Sequence, residues 1–314
     1  MTSAVTVAVV GAPDVAKELG KKGTASDLTL YNMVRDGHAE TLVEPTQFPE
    51  KFPPLVTALA MADRCLLVVP ELSRAVAETI ATLELVTVPT HVVLGPGVGE
   101  PEVARVLKGG RLESAPRMPL DPVHLRAMLE EWNAPDVAGP PAAVIDHVFP
   151  VKGVGTVALG VVRQGTLRAH EHHRLWPSPK EVEVRSIQVH DVDVKEAGCG
   201  SRVGVALKGV DPDEVSRGMV LAPPGTLSEG AQLAAGPFER CRYYRGVVAE
   251  GDHLHLSVGL QVVPVVVGPL GPGGTRLETD RPVVYRPNEP ALLLDLSVPS
   301  GPRVAGRLAL TGPG

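Results

Sequence analysis

The chain is short of cysteine: only Cys65, Cys199 and Cys241 occur in 314 residues, far apart and in no ligand-type pair. That usage suits a reducing cytoplasm better than a disulfide framework. No stretch approaches eighteen uninterrupted apolar residues, so no helix is expected to span a membrane. The start, "MTSAVTVAVVGAPD", lacks the basic flank of a secretory signal and enters a strand pattern at once. There is no excess of positive charge either. The net charge is -6, which argues against a coat of basic residues for nucleic acid but leaves room for a local basic groove.

What is present is a globular composition, 44% apolar and 21% charged, with 31 prolines and 33 glycines that imply many turns. The length favours two or three domains. In the first part, short β runs alternate with helical stretches. "VTVAVV", "AETLVE", "RCLLVVP" and "THVVLG" read as strands; "LVTALAMAD" and "RAVAETIATLELV" have helical spacing. "DPVHLRAMLEEW" begins with an aspartate N-cap and a proline at the first helical position. This alternation predicts a mostly parallel sheet with helices on its faces. "NAPDVAGPPAA" (133–143) has no apolar periodicity and reads as a linker. After it come valine-rich strands and closely spaced glycines, broken once more by "APPGTLSEG". The expected plan is an α/β domain over 1–137, a β-barrel over 138–224 and a second β-barrel over 225–314.

The middle segment is the most specific. The succession "GVGTVALGVVRQGTL", "VRSIQVHDVDVKEAGCGSRVGVALKGV" and "SRGMVL" resembles the second domain of translational GTPases. Within them it is most similar to the selenocysteine-specific elongation factors, with elongation factor Tu more distant. The resemblance covers about eighty consecutive residues, and it implies the family's order: a P-loop GTPase-like α/β domain followed by two antiparallel barrels.

The resemblance also allows the N-terminal segment "VAVVGAPDVAKELGKKGTASD" to be read by position. The phosphate loop of glycine, four residues, glycine, lysine and a hydroxyl residue falls on Gly11, Ala16, Lys17 and Glu18. Lys17 keeps the cation for the β- and γ-phosphates. Ala16 replaces the glycine that lets backbone amides curl round phosphate, and Glu18 replaces the Mg²⁺-binding hydroxyl. "KKGTASD" resembles the first switch motif. Gly23 and Asp27 match, and Ala25 stands at the Mg²⁺-binding threonine unless a one-residue shift puts Thr24 there. The several dozen residues that the family has before this motif are missing. "EPTQF" corresponds to the γ-phosphate sensor: Glu44 keeps a carboxylate, Gln47 replaces the glycine, and Phe48 replaces the histidine that positions water. The guanine-reading motif falls on Gly95, Pro96, Gly97 and Val98, and Val98 offers no carboxylate to the base. Ser114 and Ala115 preserve the fifth motif.

These substitutions lead to the expectation of a pseudo-GTPase, a non-enzyme without a cofactor. Residual GTP or phosphate contact at Lys17 stays open beside the plain reading of an exposed helix-start lysine. The resemblance implies transfer RNA or the ribosome as partner, not DNA and not a membrane, with a protein partner also open, and a cytoplasmic place of action. Arg185, His190, Arg202 and Lys208 are the candidate RNA contacts; ordinary surface charge is the competing explanation. "ERCRYYRG" (239–246) reads as an RNA-stacking surface or as structural strand, and His170 and His172, on one strand face, as a metal pair or as exposed residues. The rival functions are an unorthodox GTPase or phosphohydrolase using Lys17, Glu18 and Glu44, and a scaffold for protein contacts.

Overall fold

The computed structural model describes residues 3–35 and 37–314. Seven strands form the first sheet: β1 (Ser3–Val10), β2 (Lys21–Ala25), β3 (Thr29–Arg35), β4 (His38–Glu44), β5 (Arg64–Val69), β6 (Thr90–Leu94) and β7 (Arg117–Pro119). Their order is β2-β3-β4-β1-β5-β6-β7. From β4 to β7 all neighbours are parallel, while β2, β3 and β4 pair antiparallel. The unbroken apolar run of β1 follows from its central place, since helices cover both faces. Val5, Val7 and Val9 pack with α1 (Val15–Leu19) and α5 (Pro122–Glu130). Ala8 and Val10 face α2 (Pro53–Met61), α3 (Arg74–Leu83) and α4 (Glu100–Leu107).

Local signals fix the helix starts. The Asp121 carboxylate accepts the Val123 and His124 amides of α5 at 2.9 and 3.4 Å, with Pro122 in the first turn. Ser73 caps α3 through the Val76 amide at 3.2 Å. α1 has only five residues and gives way at once, through Gly20, to β2. The segment resembling a switch has become this edge strand.

Residues 133–141 have no regular structure and lead into the middle barrel. Six strands close it in the order His172–Trp176, Val220–Ala222, Ala142–Val151, Gly155–Gln164, Arg202–Lys208, Glu181–Val189 and back to the first. The third unit closes likewise through Ser228–Ala235, Thr275–Tyr285, Gln261–Val267, His253–Val258, Glu289–Leu294 and Val304–Pro313. Closure leaves no free edge among these ring strands.

Ion pairs tie the units together, among them the following four. Asp27, just beyond β2, receives two hydrogen bonds of 2.7 Å from Arg217 of the middle barrel. Asp63 accepts Arg163 of that barrel at 2.7 Å and the Thr6 amide of β1 at 2.9 Å. Arg174 and Glu229 join the barrels at 2.6 Å. Arg303 of the third unit chelates Glu78 of α3 through Nε (2.9 Å) and Nη2 (2.7 Å). Around this last pair, apolar residues of α2, α3 and α4 share one cluster with the third barrel.

Removing Arg303 would strand a carboxylate, because Glu78 is 8% exposed. Arg303→Ala is expected to lower stability in denaturant unfolding by about 3 kcal/mol or more, the usual penalty for breaking a buried pair. The double replacement Arg303→Met, Glu78→Leu should recover most of that loss. A cost below about 1 kcal/mol for the single variant would mean that the pair behaves as a solvated surface bridge.

Candidate functional site

At the C-terminal end of β1 the chain turns sharply. Gly11 has φ +94°, and a Cβ there would stand 2.2 Å from the Val68 carbonyl oxygen, so only glycine fits. Asp14 follows in the left-handed region at φ 66°, and α1 begins. Successive amides in such a turn form a concave anion receptor. Here it has an occupant from within the chain. Glu44, the last residue of β4 and only 5% exposed, points its carboxylate at this turn. The Ala16 amide donates to Oε1 at 3.5 Å, and the Val15 and Asp14 amides add to its stabilisation. Burial is the largest effect and pushes the Glu44 carboxyl above the usual range; the amides pull it back down. Tyr31 beside it is pushed up, first by burial and then by the Glu44 charge. An incoming phosphate would compete with this carboxylate for the same donors and meet its charge.

The other positions read from the sequence lie around this centre, mostly turned away from it. Lys17 is exposed and pairs with Asp14 at 3.1 Å, and Glu18 is exposed on α1. Lys17, Glu18 and Glu44 therefore do not converge as a catalytic group. Ala25 and Thr24 both sit on β2, three strand spacings from β1. At the usual spacing that is roughly 14 Å, so neither register brings a hydroxyl to the phosphate turn. Gln47 gives its amide to the Asp27 carbonyl at 3.2 Å. The two segments that correspond to the switches are thus bonded to each other.

Phe48 lies at a unit boundary. It meets Phe52 edge-on at a centroid distance of 6.4 Å, and the Arg303 guanidinium stands 6.0 Å from the Phe48 ring and 5.0 Å from Phe52. Gly95 and Gly97 press against Pro70, where a Cβ would come within 2.7 and 2.8 Å of backbone atoms. Val98 and Ala115 pack on the shared apolar cluster, and Ser114 is exposed at the end of a short 3-10 turn.

In the middle barrel one reading is corrected. Arg202 is 8% exposed, not a surface cation: both terminal nitrogens engage the Asp146 carboxylate, Nη2 at 2.9 Å. Its charge is spent inside the barrel. His190 is half-buried, and burial pushes its imidazole down toward the neutral form. Arg185 is exposed, with Nη1 on the Val154 carbonyl at 3.3 Å. Lys208 is exposed beside Glu183 at 3.1 Å. The 151–155 turn brings exposed Lys152 to the same rim, a residue that sequence reading missed because only the fold joins it to Arg185.

The histidines do not assemble. His170 has φ 67° and lies before the strand that His172 opens, so the two do not share a strand face. No group of three His, Cys, Asp or Glu among the described residues could hold a metal ion. Tyr244 is buried on Asp295 at 2.7 Å, and Arg242 donates to the Gly109 carbonyl at 2.8 Å. This part of "ERCRYYRG" serves contacts between and within units.

The family model for elongation factor Tu domain 2 matches residues 155–222. An uncharacterized protein of Methanocaldococcus jannaschii is 34% identical over 283 residues, 90% of this chain and 91% of that protein. The selenocysteine-specific elongation factor of the same organism is 27% identical over 287 residues, 84% of this chain but 61% of that factor. Among solved structures, translation elongation factor SelB from Methanococcus maripaludis, in complex with the GTP analogue GppNHp, shares the fold with TM-score 0.85. The identity is 20%, and the match covers 99% of this chain and 79% of that one. A bacterial selenocysteine-specific elongation factor gives TM-score 0.84 at 18% identity, over 100% of this chain and 59% of its own.

The buried Glu44 carboxylate makes stability depend on pH in a defined direction. A carboxyl raised in the folded state contributes stability below its unfolded value, and that contribution is lost as pH rises through the folded value. Glu44→Gln removes the titration. Thermal unfolding of both proteins is expected to show the stability of the variant relative to wild type rising as pH increases above about 4.5, the ordinary value. Asp27, held below the usual range chiefly by Arg217, should act oppositely: its contribution is lost on acidification. Stability of Glu44→Gln relative to wild type that falls as pH rises would contradict the placement of Glu44.

Proposed function

Because the chain belongs to the translational GTPase family, as a relative of the selenocysteine-specific elongation factor, we propose that it is an RNA-binding translation factor that works without a guanine nucleotide. One observation carries the loss of nucleotide: the anion receptor after β1 is filled by Glu44. The surroundings support it. Glu18 stands where the family's Mg²⁺-binding hydroxyl would be, Phe48 where its water-positioning histidine would be, and Val98 packs into apolar surroundings. Without base recognition or metal neutralisation, neither guanine selectivity nor phosphoryl transfer has a physical basis. The protein is then a stoichiometric binder and not an enzyme.

The RNA side of the proposal rests on kinship and on what the middle barrel keeps. The kinship with the selenocysteine-specific elongation factors implies transfer RNA as the partner. This chain preserves the second domain most clearly. Lys152, Arg185 and Lys208 gather at one rim of it, exposed to solvent. Structured RNA, a transfer RNA acceptor arm or a ribosomal site, is the partner that fits, with the cytoplasm as the place of action.

Filter binding to total transfer RNA and to ribosomes across a salt series tests this. Binding is expected to weaken with salt as phosphate contacts release counterions. Replacing Lys152, Arg185 and Lys208 together by glutamate should lower affinity by about 1 kcal/mol or more per lost contact and flatten the salt slope by roughly 0.7–0.9 per contact. Equal affinity for both proteins without a salt slope would leave a protein-contact scaffold as the better description.

A further inference from the structure

Where the three units meet, α2, the 85–89 connection and one end of the third barrel surround a cavity of about 360 Å³ that the RNA reading does not use. This is within the size range of small-molecule sites, roughly 300–1,000 Å³. Much of the wall is aliphatic, from Val56, Leu59, Leu85, Val88 and Leu292. Five polar side chains interrupt it: Asp63 and Thr87 from the first unit, Arg163 from the middle barrel, and Ser257 and Glu289 from the third. Asp63 is already engaged, by Arg163 on Oδ1 and by the Thr6 amide on Oδ2.

The groups left open on Arg163 and Glu289 are complementary. Arg163 commits Nη1 to the Met61 carbonyl at 3.1 Å and to Asp63 at 2.7 Å. Its Nε and Nη2 have no protein acceptor among the described residues. Glu289 accepts the Arg286 amide on Oε2 at 2.7 Å. Its Oε1 has no donor among the described residues and lies on the side of Gly259, where a Cβ would stand 3.9 Å away. The Ser257 hydroxyl also lacks a partner among the described residues, although the residue is 6% exposed. Burial pushes Glu289 above the usual carboxylate range, and the charges of Arg286 and Arg163 pull it back.

We propose that this cavity binds a free aliphatic amino acid. The ammonium meets Oε1 of Glu289, the carboxylate meets the open edge of Arg163, and the aliphatic body covers the wall. A ligand must carry both charges to satisfy both groups. An amine alone leaves the Arg163 edge without an acceptor, and a carboxylate alone brings like charge to Glu289. An esterified amino acid lacks the carboxylate, so this site is distinct from one for the aminoacyl end of a transfer RNA. The proposal does not depend on RNA binding, and failure of either leaves the other standing.

Calorimetric titration of the full chain with valine, leucine and methionine tests it, with leucinamide, 3-methylbutylamine and 4-methylpentanoate as partial ligands. At least one amino acid should saturate the site, and each partial ligand should bind at least about tenfold more weakly than leucine, the loss of one charge-assisted contact. Glu289→Gln should weaken the amino acid by a similar factor. Val86→Trp, which fills the cavity from its lining, should abolish binding while unfolding stays cooperative. The proposal is overturned if none of the three saturates at millimolar concentration. It is equally overturned if 3-methylbutylamine binds as well as leucine, or if both variants bind as wild type does.

Discussion

The contact between the Glu44 carboxylate and the amides of the turn after β1 constrains everything around it. A strand ending in Gly11, a left-handed Asp14 and the start of α1 make a concave set of N–H donors that requires an anion or another acceptor. In this chain the acceptor comes from the neighbouring parallel strand β4. The turn amides thus meet an acceptor from within the chain, at the cost of burying a carboxylate.

Around this centre, segments that resemble moving parts carry static contacts. Asp27 is held by Arg217 of the middle barrel, the Gln47 amide is held by the Asp27 carbonyl, and Phe48 lies beneath Arg303, which itself chelates Glu78. Together with the apolar cluster shared by α2, α3, α4 and the third barrel, these contacts favour one arrangement of the three units.

The alternation of strands and helices, the two barrels and the N-cap of α5 were legible in the sequence because they rest on local periodicity and short-range hydrogen bonds. The positions Ala16, Glu18, Phe48 and Val98 were read through the family resemblance, residue by residue, and not from local periodicity. What could not be read depends on partners distant in the chain. Arg202 looked like a surface cation; its fate is set by Asp146, 56 residues earlier. Asp27 and Arg217 are 190 positions apart, and no pattern in either segment announces the other. The carboxylate of Glu44 was recognised, but its placement in the turn required the register of β4 against β1. Lys152 escaped notice because a rim is defined only once a barrel closes.

The most direct measurement is calorimetric titration of the wild-type chain with GTP, GDP, GppNHp and ATP in the presence of Mg²⁺. If Glu44 occupies the anion receptor, heats should be weak or undetectable, with no preference for guanine. Saturable submicromolar binding selective for GTP or GDP would contradict the account, since it would require the carboxylate to leave the turn and a base-reading group to exist where Val98 stands.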